Sequence, residues 1–499
     1  MTRIPRKLAL ARIPKELIGV ALAALSCAVW FVISADEIKY LIAPMGATVL
    51  AAAFFWTVLK ARRPGPPLAD PATLTVLAVT CYTIIPPLQY LLAGGQHTYL
   101  SAYQLYVLNP TPRQFGGFMW WYVVYLVAFV SGYLAFDSRR AAAPFVPNPP
   151  DRRTVALLVA LWMALSVVMY AIEAIYGINL YGVYDVERMY DSYEVYLGMP
   201  LLFRQFYGII GHNGVGLIVK LGLLLTLFLG WEKPVYRLIL YCWLAVIVIS
   251  NILWMGARTE LVLILLACVI MYNEFVRRLK IWQMLTIGLC LFVGFLLIGF
   301  VRGQATLGSN LTNFKSKVDS FELTVSTNTE FQALFGGNFD LLRLKESGEL
   351  GEIPVQFTLY DVVMVVPQQL LPFPKLDVQN WIAERALPGF FMFSPISQAI
   401  IGYGWVELIA RGMLLGFVFA KARIWYVRSS RKFWPTLAYF YLIVIAYYTI
   451  RGTAFYILIA SFLFRFLPLY LLLKILQTKT RQLPVPPAKP FAIGGTAGQ

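Results

Sequence analysis

Apolar residues in this chain come in long blocks, not in alternation. The blocks lie near 17–34, 40–59, 72–92, 115–136, 154–175, 206–229, 238–254, 259–274, 282–301, 402–420, 434–450 and 454–473. A helix of about 20 apolar residues crosses the ~30 Å hydrocarbon layer of a bilayer. Inside that layer only a helix or a closed barrel satisfies its own backbone groups. The pattern therefore predicts an all-α polytopic membrane protein of about twelve transmembrane helices. One interval breaks the rhythm, because roughly 100 residues separate the ninth block from the tenth while the other connections are much shorter. Loops of that length in compact proteins are commonly functional. The expected organisation is nine helices in 1–302, a large loop over 303–401, three helices in 402–476 and a Pro/Gly-rich, disordered cytoplasmic tail over 477–499. Within the loop, "FTLYDVVMVVPQQLLPF" (357–373) is apolar but too short, and too broken by Pro367 and Pro372, to span. A helix lying in the membrane interface is the expected form.

Composition strengthens this reading. Of 499 residues, 59% are hydrophobic and 13% charged, against about 25% charged in soluble chains. The net charge of +17 would raise nucleic acid as a partner of a soluble protein. Here it follows from the basic bias of cytoplasmic loops, and no nucleic-acid partner is expected. The N-terminus, the loops after the even-numbered spans and the C-terminus hold well over half of the 42 Lys and Arg, among them Lys60, Arg62, Arg63, Lys421, Arg423, Arg428, Arg431 and Lys432. Both termini are therefore expected in the cytoplasm and the large loop on the opposite face. The first block exceeds the 7–15-residue core of a secretory signal, so it reads as a span. Cys27, Cys81, Cys242, Cys268 and Cys290 all fall inside apolar blocks without metal-site spacing, so they read as core residues.

Charge at the outer membrane level carries the chemistry. With this topology "GARTE" (256–260) is an outer turn between the seventh and eighth spans, and Arg258 sits where hydrocarbon ends. Arg204, Arg302 and Arg451 fall near the same level, while Lys220, Arg411 and Arg465 lie within blocks. An intramembrane cation costs about 2.5–3.5 kcal/mol on insertion scales and usually faces a cavity or a partner. Glu260 for Arg258 and Glu407 for Arg411, the latter at i,i+4, are ready partners. Guanidinium groups converging at one level would instead suit a phosphate or pyrophosphate. An outward-facing pyrophosphate at membrane level suggests a lipid-linked sugar donor, whose leaving group arginines can stabilise. No HExxH, clustered Asp or Cys/His pattern is present, so neither a metal nor another cofactor is expected.

Three segments carry a family resemblance. "GARTELVLILLA" (256–267), "VVPQQLLPFPK" (365–375) and "FSPISQAIIGYGWVELIARGMLLGFV" (393–418) resemble motifs of O-antigen polymerases, the Wzy-type oligosaccharide repeat-unit polymerases. The resemblance covers roughly 205–425. It departs from the family pattern at Gln398, where an acidic residue is usual, and at Gln368, where a basic one is common. It implies a GT-C-like membrane glycosyltransferase in the bacterial inner membrane, with a periplasmic loop carrying short amphipathic helices. Such an enzyme joins repeat units carried on undecaprenyl pyrophosphate into O-antigen or exopolysaccharide. Its partners would be the lipid-linked oligosaccharide donor and acceptor, the bilayer and a chain-length regulator protein. Arg258 matches the arginine of the family's G-S-R segment, and Arg302 matches by layout alone. Arg258, Arg302, Arg204, Arg411 and Arg451 are the candidate pyrophosphate ligands.

A sugar hydroxyl attacking at such a site benefits from a general base. The two histidines are His97, in an outer loop, and His212, flanked by glycines near the outer end of the sixth span. The carboxylates Glu322, Glu330, Asp340, Asp361 and Glu260 also qualify; Glu330 and Asp340 rank first, in a polar, Gly-containing stretch close after the ninth span. Glu330, Asp340 and His212 are the expected catalytic candidates. O-antigen ligases resemble this layout but are expected to use a histidine of the large loop, and this loop has none. A ligase or other lipid-linked glycosyltransferase, and a transporter or flippase of lipid-linked sugars, are the competing readings. The second should show related halves or interrupted helices, which the sequence does not display.

Overall fold

The computed structural model describes residues 37–62, 69–92, 94–101, 104–137, 149–176, 214–250, 258–280, 330–366, 370–376, 393–429 and 432–482, with a few isolated positions between them. The described chain is helical apart from one hairpin, in which β1 (His97–Ser101) pairs antiparallel with β2 (Gln104–Leu108). The apolar blocks did not announce this hairpin. Both strands are rich in Thr, Tyr and Val, which suit a pleated surface.

Helices α1 (Lys39–Arg62), α2 (Pro71–Leu92), α3 (Pro112–Phe136) and α4 (Arg152–Tyr176), together with the helix entered at Ala454, are long and apolar enough to cross a membrane. These are five among the described residues. Four further apolar helices are shorter: α5 (Val215–Leu229), α6 (Pro234–Ser250), α7 (Arg258–Phe275) and a helix at Phe433–Ile445. The expected spans at 17–34 and 282–301 lie outside the described residues except for isolated positions of the latter. The block at 434–450 is broken by a turn after Ile445 into a separate short helix, Tyr448–Arg451. The last helix runs from Ala454 to Gln482 through a π-helical segment at Ala460–Phe466.

Three elements come from the large loop. They are α8 (Glu330–Ser347), α9 (Tyr360–Val365) and α10 (Pro395–Ile401). The stretch 357–373 is not one interfacial helix. A 3-10 turn at Val355–Phe357 leads into α9, and Val366 turns to extended backbone, φ −70° and ψ 131°. Val366 precedes Pro367, whose ring crowds a helical residue before it.

The central pair is α3 with α11 (Trp405–Ser429). α3 starts under a capping box in which Thr111 accepts from the Gln114 amide and the Gln114 side chain accepts from the Thr111 amide, with Pro112 in the first turn. On α11 the buried positions Leu408, Gly412, Leu415, Gly416 and Phe419 form one stripe. Gly412 lies against Tyr125 and Ala128 of α3, Gly416 against Phe129, Gly132 and Tyr133, and Gly132 against the Met413 backbone. A Cβ at Gly412 would stand 2.9 Å from the Tyr125 carbonyl oxygen, and one at Gly416 would overlap that of Phe129. Small residues four apart let two membrane helices approach backbone to backbone. Trp121 stacks on Trp405 with centroids 4.1 Å apart at one end of this pair.

At the opposite end a buried ionic knot ties four helices. Arg423 Nη1 lies 2.6 Å from Asp137 Oδ1, and its Nε lies 3.6 Å from Asp70 Oδ2. Tyr133 donates to Asp70 Oδ2 at 2.5 Å, and the other Asp70 oxygen accepts from the Ala72 amide at the start of α2. Arg62 reaches Asp137 at 3.8 Å. This is the end where Lys and Arg collect in the sequence.

Candidate functional site

The loop elements are docked onto α3 and α11, and the docking surface is the candidate site. α8 brings Phe335 and Phe339 into a nest with Phe115, Phe118 and Tyr122 of α3; Phe115–Phe335 and Phe118–Phe335 centroids are each 4.8 Å apart. Beneath them Asn338 is fully buried and fully engaged. Its Nδ2 donates to Tyr122 Oη and to Ser394 Oγ, both at 3.1 Å, and its Oδ1 accepts from Ser397 Oγ. Ser394 and Ser397 form the capping box that starts α10. One polar side chain thus fixes α8 to α3 and to the start of α10, and the pairing of its groups offsets their desolvation.

One step further along, Arg411 is the centre of a charge cluster. Its Nη1 lies 2.5 Å from Asp361 Oδ2 of α9 and its Nε donates to Glu407 Oε1 at 2.7 Å. Its Nη2 lies 2.7 Å from the same Glu407 oxygen and donates to the Thr358 carbonyl at 3.3 Å. Asp361 has two more donors: Gln398 Nε2 at 3.1 Å and the Tyr456 amide at 2.9 Å. Tyr456 is the third residue of the last helix, so this carboxylate caps that helix where the partial positive charge of its N-terminus lies. Glu407 Oε2 accepts from the Tyr403 amide at 2.9 Å. Lys345 of α8 donates to the carbonyls of Ile400 and Gly402 and lies in the field of Glu407. Burial lowers its pKa from the usual lysine range, and Glu407 partly restores it. Two cations and two carboxylates balance, and they come from α8, α9 and α11. Tyr125 stands within electrostatic reach of Arg411 and Asp361. Its hydroxyl and Gln398 Oε1 are buried and accept no hydrogen bond from a described residue.

The expected site residues fall as follows. Arg204, His212 and Arg302 lie outside the described residues. Arg258 is the first residue of α7 and Glu330 the first of α8. Asp340 is buried on α8 with Arg343 Nη2 2.8 Å from its Oδ1. Arg451 ends the short helix Tyr448–Arg451 and is half-buried. Arg411 pairs with Glu407 at i,i+4 as its spacing suggests, but it also takes Asp361, 50 residues away in sequence. Its guanidinium is committed to two carboxylates, which disfavours a phosphate there by like-charge repulsion. Gln398 meets Asp361 as an amide donor, where an ionised acid would repel it. Asn338, Lys345 and the two serines were missed, because nothing in their local sequence distinguishes them from loop polar residues. No family model matches this chain, and no curated protein or solved structure does either.

Proposed function

We propose that this chain is a membrane glycosyltransferase that polymerises undecaprenyl-pyrophosphate-linked oligosaccharide repeat units at the periplasmic face of a bacterial inner membrane. In this reading it has about twelve spans in a GT-C-like arrangement and both termini in the cytoplasm. The observation that carries most weight is the docking just described. The described elements of the long segment between the ninth and tenth apolar blocks, α8, α9 and α10, pack onto α3 and α11 through buried, paired polar groups. A merely connecting loop has no need of such fixation, whereas a catalytic roof over membrane helices must be held within fractions of an ångström.

The chemistry assigned is substitution at the anomeric carbon of the growing chain. The hydroxyl of a new repeat unit attacks that carbon, its proton passes to a carboxylate, and the bond to the lipid pyrophosphate breaks. Glu330, at the start of α8, is the base in this scheme, since Asp340 is engaged with Arg343; His212 is the second candidate. Arg258, Arg204, Arg302 and Arg451 are the proposed holders of the departing pyrophosphate. Arg411 acts instead as a positioning residue, through Asp361 and Glu407.

Arg258→Lys tests the scheme. It keeps the charge but loses the planar fork. Purified protein in liposomes with the lipid-linked repeat unit should then lose polymer formation by a factor of about 10²–10³, the usual loss for one charge-assisted donor at a developing charge. Normal chain lengths from Arg258→Lys, at ordinary protein abundance, would exclude the assignment.

A further inference from the structure

We infer that the described residues 355–366 and 370–376 are immersed in bilayer lipid, as a wedge pinned from beneath by Asp361. The argument starts from the direction of its side chains. In and around α9, Asp361 and Val363 are buried, while Leu359 and Val362 are 57% and 58% exposed. Val355 and Leu370 are more exposed still, at 77% and 73%, and Phe373 and Leu376 are also exposed. From Ile353 to Leu376 the charged residues are Asp361 and Lys375 alone. Asp361 faces inward, and Lys375 is half-buried, donating to the Met364 carbonyl at 3.1 Å. The exposed residues among those described in the segment are thus all apolar, which is contrary to what water requires of a loop.

Depth follows from helix geometry. Glu407 and Arg411 come two and six residues after Trp405, about 3 and 9 Å further along α11 at 1.5 Å per residue. Arg411 grips Asp361 and the Thr358 carbonyl. Asp361 also caps the last helix two residues inside a span that begins at Ala454. The wedge is therefore held within about two turns of the ends of two membrane helices, on the inward side of Trp405. Those helices show apolar residues outward at the same level: Val406 and Ile409 on α11, Ile459 on the last helix. Tyr403 and Trp405, both exposed, supply the aromatic residues that collect at a membrane–water boundary. A protein-docking patch carries a polar rim; this one runs directly into the apolar faces of the neighbouring helices. Bilayer lipid is the occupant that fits.

The inference does not depend on the proposed activity. It is tested by spin labels at Leu359→Cys, Val362→Cys and Val355→Cys, each in full-length protein whose five native cysteines are replaced by alanine, reconstituted in phosphatidylcholine nanodiscs. Label collision with molecular oxygen, which concentrates in hydrocarbon, is compared with collision with the water-soluble NiEDDA complex. Ile409→Cys and Glu349→Cys, exposed on α11 and after α8, serve as lipid and water references. Oxygen should exceed NiEDDA at 355, 359 and 362, as at 409, and the order should invert at 349. NiEDDA dominance at 355, 359 and 362 would overturn the inference. So would exclusion of both agents, which would mean a second copy or another protein covers the segment.

Discussion

At the residue scale, the cluster around Arg411 shows how a charge is carried near hydrocarbon. An isolated arginine there is costly, but a guanidinium with two carboxylates and a backbone carbonyl has most of its donors satisfied. Removing one partner of such a buried pair typically costs about 3–5 kcal/mol, because the other is left uncompensated. Gln398 is the sharpest probe of the arrangement. Its amide donates to an Asp361 that already has Arg411 and the Tyr456 amide. Gln398→Leu removes one donor and should lower the thermal inactivation temperature modestly. Gln398→Glu places a second anion against Asp361 and should lower it clearly more, despite being closer in shape. The comparison is read by heating purified protein in detergent at one scan rate. Equal shifts would mean that residue 398 does not face Asp361 as described.

At the element scale, close helix contact is decided by glycines that look interchangeable in the sequence. Gly116 and Gly117 are neighbours on α3. A Cβ at Gly116 would overlap the carbonyl oxygen of Tyr40 at the start of α1, while one at Gly117 would meet nothing within 4 Å. Gly117→Ala should therefore be neutral or stabilising by up to about 1 kcal/mol, the gain in helix propensity. Gly116→Ala should destabilise by about 1–3 kcal/mol, the usual cost of overpacking. Gly416→Ala, which would overlap Phe129 of α3, belongs with the second group. Melting temperatures of the three variants check the order. A destabilised Gly117→Ala alongside a tolerated Gly116→Ala would show that α1 does not pack on α3 in this way. The same scale explains α11. Its charges, Glu407, Arg411, Lys421, Arg423 and Arg428, leave it less apolar than the five spanning candidates. Glu407 and Arg411 are paired with each other, and Arg423 with Asp137 and Asp70, so those charges are internally balanced.

At the scale of the whole molecule, two polar centres lie at opposite ends of the α3–α11 pair. One holds the loop helices, through Lys345, Asp361, Glu407 and Arg411. The other gathers Arg62, Asp70, Asp137 and Arg423 at the end where basic residues collect. The proposed topology, which rests on the basic bias of the sequence, puts the second end in the cytoplasm. Cysteines at Glu349 and at Lys432, introduced singly into a cysteine-free chain, should then react oppositely with a membrane-impermeant maleimide in intact cells with a permeabilised outer membrane. Position 349 should label at once, and 432 only after the inner membrane is breached. The reverse order would invert the topology and remove the basis for an outward-facing site.

Block length and low charge in the sequence point to a helical membrane protein, and the helices of the structure start and stop close to the apolar blocks at 40–59, 72–92, 115–136 and 154–175. The sequence by itself determined the Glu407–Arg411 pair, because i,i+4 proximity is a property of the helix alone. It located the long interval between the ninth and tenth blocks, but not what that interval does. Tertiary structure alone decided that Asp361 reaches Arg411 and Tyr456, that Asn338 joins α3 to α10, and that Gly116 is confined while Gly117 is free. The physical reason is common to all three. Each depends on contacts between residues far apart in the chain, and hydrophobic periodicity records which face of a helix is apolar without recording what lies against it.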